Sequence, residues 1–103
     1  MQVQVEGHVR KFIFSLEPVT QAKYQRAKDL LEQFGHELSM SLSKKVAEGL
    51  FELRIRGRQE VRIFYAFHKN FAYLLHGFVK KSQKTPYKEI RLALARKKLL
   101  TII

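Results

Sequence analysis

Arg54, Arg56, Arg58 and Arg62 are followed by Lys80, Lys81 and Lys84, with His76 between the two groups and Tyr87 just beyond them. A set of Arg, Lys, Tyr and His side chains suits cleavage of an RNA phosphodiester. There a base takes the 2′-hydroxyl proton, cations hold the charge of the phosphorane, and an acid protonates the leaving oxygen. That route requires no metal, and the sequence carries no metal signature. His8, His36, His68 and His76 form neither an HExxH motif nor an i, i+4 pair, and the five glycines make no phosphate-binding loop. Cysteine is absent, which excludes disulfides, thiolate metal sites and cysteine nucleophiles. No small-molecule cofactor is expected.

The charge distribution points the same way. The net charge is +11, from 20 Lys and Arg against 9 Asp and Glu. Residues 1–43 balance five basic groups with five acidic ones, so the whole excess falls in residues 44–103. A neutral half joined to a basic half implies a positive face and a polyanionic partner. A solvated strand face would account equally well for Arg54, Arg56 and Arg58. Arg62 is different, because it neighbours apolar positions where an idle charge is costly. His76 reads as a satisfied sheet histidine, and Tyr65 and Tyr73 as core or interface residues.

The elements that must position these groups can be read from periodicity. Leu50–Ile55, Val61–His68 and Phe71–Val79 are short runs rich in β-branched and aromatic residues, joined by short polar links. Together they predict an antiparallel meander. In the first run Phe51, Leu53 and Ile55 alternate with Glu52, Arg54 and Arg56, which predicts one core face and one charged, open face. Upstream, Val9, Phe12, Ile13 and Leu16 follow a helical stripe that stops before Pro18. A second helix is expected from Pro18, carrying Tyr24, Ala27, Leu31 and Phe34 and capped by Gly35. Met1–Val5 is expected to be extended or frayed. The connector 36–49 is expected to hold a short edge strand guarded by Lys44 and Lys45. Pro86 starts a last helix to about Lys98, and the apolar tail Leu99–Ile103 is expected to pack on the domain or on a partner. Phe12, Ile13, Leu31, Phe34, Phe51, Leu53, Ile55, Ile63 and Leu75 are expected to share one core.

Three blocks carry a family resemblance: Leu50-Phe51-Glu52-Leu53-Arg54, Val61-Arg62-Ile63-Phe64-Tyr65, and Leu74 through Pro86. They resemble the phage-derived, HigB-like branch of the RelE/ParE toxin superfamily, and the likeness covers nearly the whole chain. The resemblance implies a type II toxin with a cognate antitoxin, expected to be a helix-turn-helix protein. It implies α+β architecture: an N-terminal helical hairpin packed on a small twisted antiparallel sheet of three or four strands, then a C-terminal helix. It also implies roles. Arg62 would contact the scissile phosphate with Arg54 beside it, and Tyr87 falls near a tyrosine that some members use in acid/base work. Arg56, Arg58, Lys80, Lys81 and Lys84 would bind RNA or the ribosome.

The expectation is therefore one domain over residues 1–103, acting as a ribosome-dependent mRNA endonuclease with ribosome and mRNA as partners. The alternatives are a toxin that inhibits DNA gyrase without being an enzyme, and a plain RNA-binding module. No apolar run approaches the ~20 residues needed to span a bilayer, and residues 1–11 lack the apolar stretch of a signal peptide. No membrane partner is expected, and the expected location is the cytoplasm.

Overall fold

Alternation in Gln2-Val3-Gln4-Val5 turns both valines to one side. That stretch is a strand, β1 (Gln2–Val5), in the computed structural model, which describes residues 1–102. β1 runs parallel to β5 (Phe71–Val79), with Gln2 opposite Phe71 and Val5 opposite Leu74. Between them lie α1 (Gly7–Phe14), α2 (Pro18–Phe34), a 3₁₀ turn (Gly35–Glu37), β2 (Ser43–Ala47), β3 (Leu50–Ile55) and β4 (Val61–His68). α3 (Tyr87–Leu99) and a 3₁₀ turn (Leu100–Ile102) follow β5. The strands are ordered β1-β5-β4-β3-β2.

This corrects the expected architecture. The chain opens with a strand, not with a helical hairpin, and the parallel β1–β5 pair makes the five-stranded sheet mixed, not antiparallel. The two helices lie chiefly on different strands, α1 on β5 and α2 on β3. The physical reason is that Val3 and Val5 reach the core by pairing with a strand about 70 residues away. Nothing local announces such a partner.

Elsewhere the local rules hold. Pro18 occupies the first turn of α2, where its missing N–H costs nothing. Gly35 ends that helix at a φ of 54°, a conformation glycine adopts without strain. Lys69 and Asn70 join β4 to β5 with φ of 48° and 68°, both positive, as a two-residue hairpin turn requires. At Gly77 the backbone of β5 is bare, and a Cβ there would fall 2.7 Å from the Phe12 ring. The missing side chain is what lets α1 seat on the sheet.

The sheet is covered on both faces. One face carries Val9, Ile13, Tyr24, Ala27, Leu31, Leu53, Ile55, Ile63, Tyr65 and Leu74 beneath α1 and α2. The other carries Leu50, Phe64, Ala66, Leu75 and Phe78 against Ile90, Ala93, Leu94 and Leu100 of the C-terminal segment. Residues 61–66 of β4 are consequently buried without a break, as in any strand sandwiched between two layers. The expected single core is thus two: Leu75 belongs to the second, and Phe34 is 47% exposed. The charged face expected to be open is covered by α3 at its Leu50 end and by Thr85 at Glu52, and is exposed at Arg56. In the apolar tail Leu100 is buried while Leu99 and Ile102 are exposed; Ile103 lies outside the described residues. Among the described residues no helix is long and apolar enough to cross a membrane.

Leu53 is fully buried at the centre of the first core. Leu53→Ala should destabilise the protein by about 2–5 kcal/mol, as truncations in packed cores do. Chemical denaturation measures this directly, and an unchanged midpoint would place Leu53 outside the core.

Candidate functional site

Arg54 and Arg62 stand directly opposite one another on β3 and β4, and like charges so placed repel. Glu52, on the same face of β3, lies between them. Its Oε2 is 3.6 Å from Arg54 Nε and its Oε1 is 3.6 Å from Arg62 Nε. These are ion pairs, too long to be hydrogen bonds, and neither Nε has a hydrogen-bond partner. Glu52 is only 2% exposed and Arg62 3%. Thr85 donates its hydroxyl to Glu52 Oε1 at 3.1 Å, fastening the basic segment after β5 to this buried network.

The remaining nitrogens of Arg62 reach outward. Nη1 donates to the Val61 carbonyl at 3.0 Å and Nη2 to Glu60 Oε1 at 3.2 Å. The other carboxylate oxygen of Glu60 accepts the Gly57 N–H at 3.0 Å. That backbone bond, with Arg62 adding to it, holds the Glu60 carboxyl below its ordinary pKa. Glu60 is therefore anionic at neutral pH. Its carbonyl accepts the Lys80 N–H, which draws the end of β5 alongside the start of β4.

The result is an open depression of about 450 Å³ lined by Arg56, Glu60, Arg62, Lys80, Lys81, Ser82 and Gln83. Every lining residue is polar, and four are cations against one carboxylate. Such a surface can hold two or more phosphates of a polyanion, with Arg62 pinned from behind.

A family model described as phage derived protein Gp49-like matches residues 11–98. The chain belongs to the Gp49-like family. This family is generally toxin-like within toxin–antitoxin systems, with an antitoxin as partner. The matched span contains every residue of the depression and leaves out β1. No curated protein matches the chain.

In this Gp49-like protein, four of the residues expected to form the site meet at the depression: Arg56, Arg62, Lys80 and Lys81. The other four lie outside it. Arg54 is held by Glu52 and lines a neighbouring groove instead. Arg58 is 83% exposed and 3.6 Å from Glu17. Lys84 is exposed in the loop, where its carbonyl accepts the Ser82 hydroxyl. Tyr87 is 70% exposed at the start of α3, with the Arg91 guanidinium 5.4 Å from its ring centre. Burial pushes the phenols of Tyr24, to about 12, and Tyr65 upward, so neither is a base near neutrality.

His76 has partners on both ring nitrogens. Nδ1 lies 3.1 Å from Arg96 Nη1 and Nε2 lies 2.8 Å from Glu89 Oε1. Because the guanidinium can only donate, Nδ1 accepts and Nε2 carries the proton toward Glu89. A histidine so engaged is a strut between β5 and α3, as its sequence context implied.

Sequence reasoning passed over Glu52, Glu60 and Thr85. A usable signal existed for Glu52: a carboxylate two residues before an arginine, in a half of the chain with few acids. Taking that charge away leaves two opposed guanidiniums without their shared counter-charge. Glu52→Gln should therefore cost about 3–5 kcal/mol, the scale for breaking a buried ion pair from one side. Glu52→Gln combined with Arg54→Met should recover part of the loss. Equal stability of Glu52→Gln and wild type in urea titrations would remove Glu52 from its central place.

Proposed function

We propose that this Gp49-like protein is a HigB-like toxin of a type II pair that cuts mRNA on the ribosome, using the depression around Arg62. The observation that carries the reading is the convergence of Arg56, Arg62, Lys80 and Lys81 on one polar depression, with the guanidinium of Arg62 fixed by Glu52. Preorganised donors of this kind stabilise charge that develops in a transition state, since they need no reorganisation as the reaction proceeds.

In this reading the scissile phosphate displaces Glu60 from Arg62 Nη2. Glu60 sits at the rim with its side chain 39% exposed, whereas Glu52 is buried and stays. The 2′-hydroxyl loses its proton and attacks phosphorus, the guanidinium and lysines hold the phosphorane charge, and the 5′-oxygen leaves with a proton. Lys80 and Lys81 position the strand, with Lys84 and Arg58 binding the ribosome from their exposed sites. Arg54 acts indirectly, by sharing Glu52. Tyr87 is exposed at the end of the same basic loop and supplies acid/base work from there. The ribosome holds the RNA in line, which lessens what the side chains must do.

Mapping RNA 5′ ends after induction in cells tests the reading: cuts inside translated codons support it, and intact mRNA with DNA damage contradicts it. For the site itself, Arg62→Ala should slow single-turnover cleavage on ribosomes by about 100-fold or more, the scale for losing one preorganised donor. Arg62→Lys should restore only part, since a point charge does not reproduce a planar fork. Lys81→Ala should weaken ribosome binding with a smaller loss in the chemical step. A folded Arg62→Ala protein that cleaves at the normal rate would dismiss Arg62 from the reaction.

A further inference from the structure

The two edges of the sheet are built differently. β2 closes one edge with Lys44 and Lys45 exposed along it and a register shift between Lys45 and Ala47. Lysines and bulges of that kind keep an edge from pairing with another chain. β1 closes the other edge with Gln2-Val3-Gln4-Val5, which carries no charge, no proline and no register shift. Among the described residues no strand lies beyond it. The Glu6 N–H points to β5, reaching the Leu74 carbonyl at 3.4 Å. Alternation along β1 therefore turns the N–H and C=O groups of Val3 and Val5 away from β5, toward the open side. Arg10 Nη2 approaches the Val5 carbonyl from that side, at 3.4 Å.

Side chains beneath this edge decide what covers it. A groove of about 360 Å³ runs between β1 and the helices, with Val3, Val5, Ile13 and Tyr24 in its lining and Phe14, 70% exposed, beside them. A bare edge accepts any strand, but an apolar knob next to an apolar hole on one surface is self-complementary, as a two-fold interface requires. Charge agrees. Residues 1–43 balance five basic groups with five acidic ones, so two copies meet here without the repulsion their basic halves would bring. The family match begins at residue 11, so β1 lies outside what the family model describes. We infer that two copies of this chain associate through β1, antiparallel about a two-fold axis, with Gln4 opposite its counterpart. That register engages the outward N–H and C=O of both valines and releases the long Arg10 contact. A strand of four residues contributes little alone. Phe14 entering the partner subunit's groove adds the apolar burial. β1 pairs with residues 71–74 of β5, whereas the depression lies past the other end of that strand, so association leaves both depressions open. The inference does not rest on the proposed nuclease function.

Sedimentation velocity over a dilution series of the full chain reads the association. Wild type should pass from monomer to dimer as concentration rises. Gln2→Lys with Gln4→Lys gives β1 the guard that β2 has, and should raise the dissociation constant about tenfold or more. Its melting should be unchanged, because both glutamines are exposed. Phe14→Ser leaves the strand intact and should weaken the dimer as well. The chain has no cysteine, so Gln4→Cys reads the register: thiols opposed across the two-fold should join readily under oxidised glutathione. Met40→Cys, at a side chain 80% exposed in the connector before β2, should cross-link far more slowly. A chain that is monomeric at every concentration, undiminished dimerisation by either variant, or Met40→Cys cross-linking as fast as Gln4→Cys would each overturn the assignment.

Discussion

A single buried carboxylate makes the basic half of this molecule possible. Arg54 and Arg62 face each other across two strands, and without Glu52 their repulsion and desolvation would oppose the pairing of β3 with β4. With Glu52 between them, the same pair becomes a rigid foundation. Its third attachment, to Thr85, fixes the basic loop that supplies Lys80 and Lys81. The strain of burying charge and the geometry of the candidate site are therefore one feature.

The rest of the fold protects that feature from water and from movement. Two apolar cores press on the sheet from opposite sides, leaving β4 inaccessible along residues 61–66. α3 covers the apolar end of its face, and the charged network occupies the other end, under the basic loop. Division of one strand face between an apolar and an ionic half explains how Arg62 is at once almost fully buried and at the edge of a basic depression. Arg56 lines both this wholly polar depression and a neighbouring groove floored with aliphatic side chains.

Much of this was legible where the signal is local. The three meander strands lie where alternation and short polar links put them, Pro18 and Gly35 bound α2, and an edge strand carries Lys44 and Lys45. What escaped is non-local. The β1–β5 pairing joins the two ends of the sheet's sequence, and Val3 and Val5 alone do not name their partner. Period-two alternation in β3 separates two faces but does not reveal that α3 and the basic segment before it will cover the second, so Glu52 and Arg54 looked solvent-facing. Of the site, the concentration of cations was visible and their sorting was not. Arg56, Arg62, Lys80 and Lys81 converge because β3, β4 and β5 bring their ends together, while Arg58 and Tyr87 lie on segments that lead away.

The central claim is that Glu52 serves the site through Arg62. A double-mutant cycle with Glu52→Gln and Arg62→Met, read by single-turnover RNA cleavage on ribosomes with folding verified for each protein, addresses it most directly. If the claim holds, the two effects are strongly coupled, and removing Glu52 from a protein already lacking Arg62 slows cleavage no further. Independent losses that multiply in the double variant would contradict it.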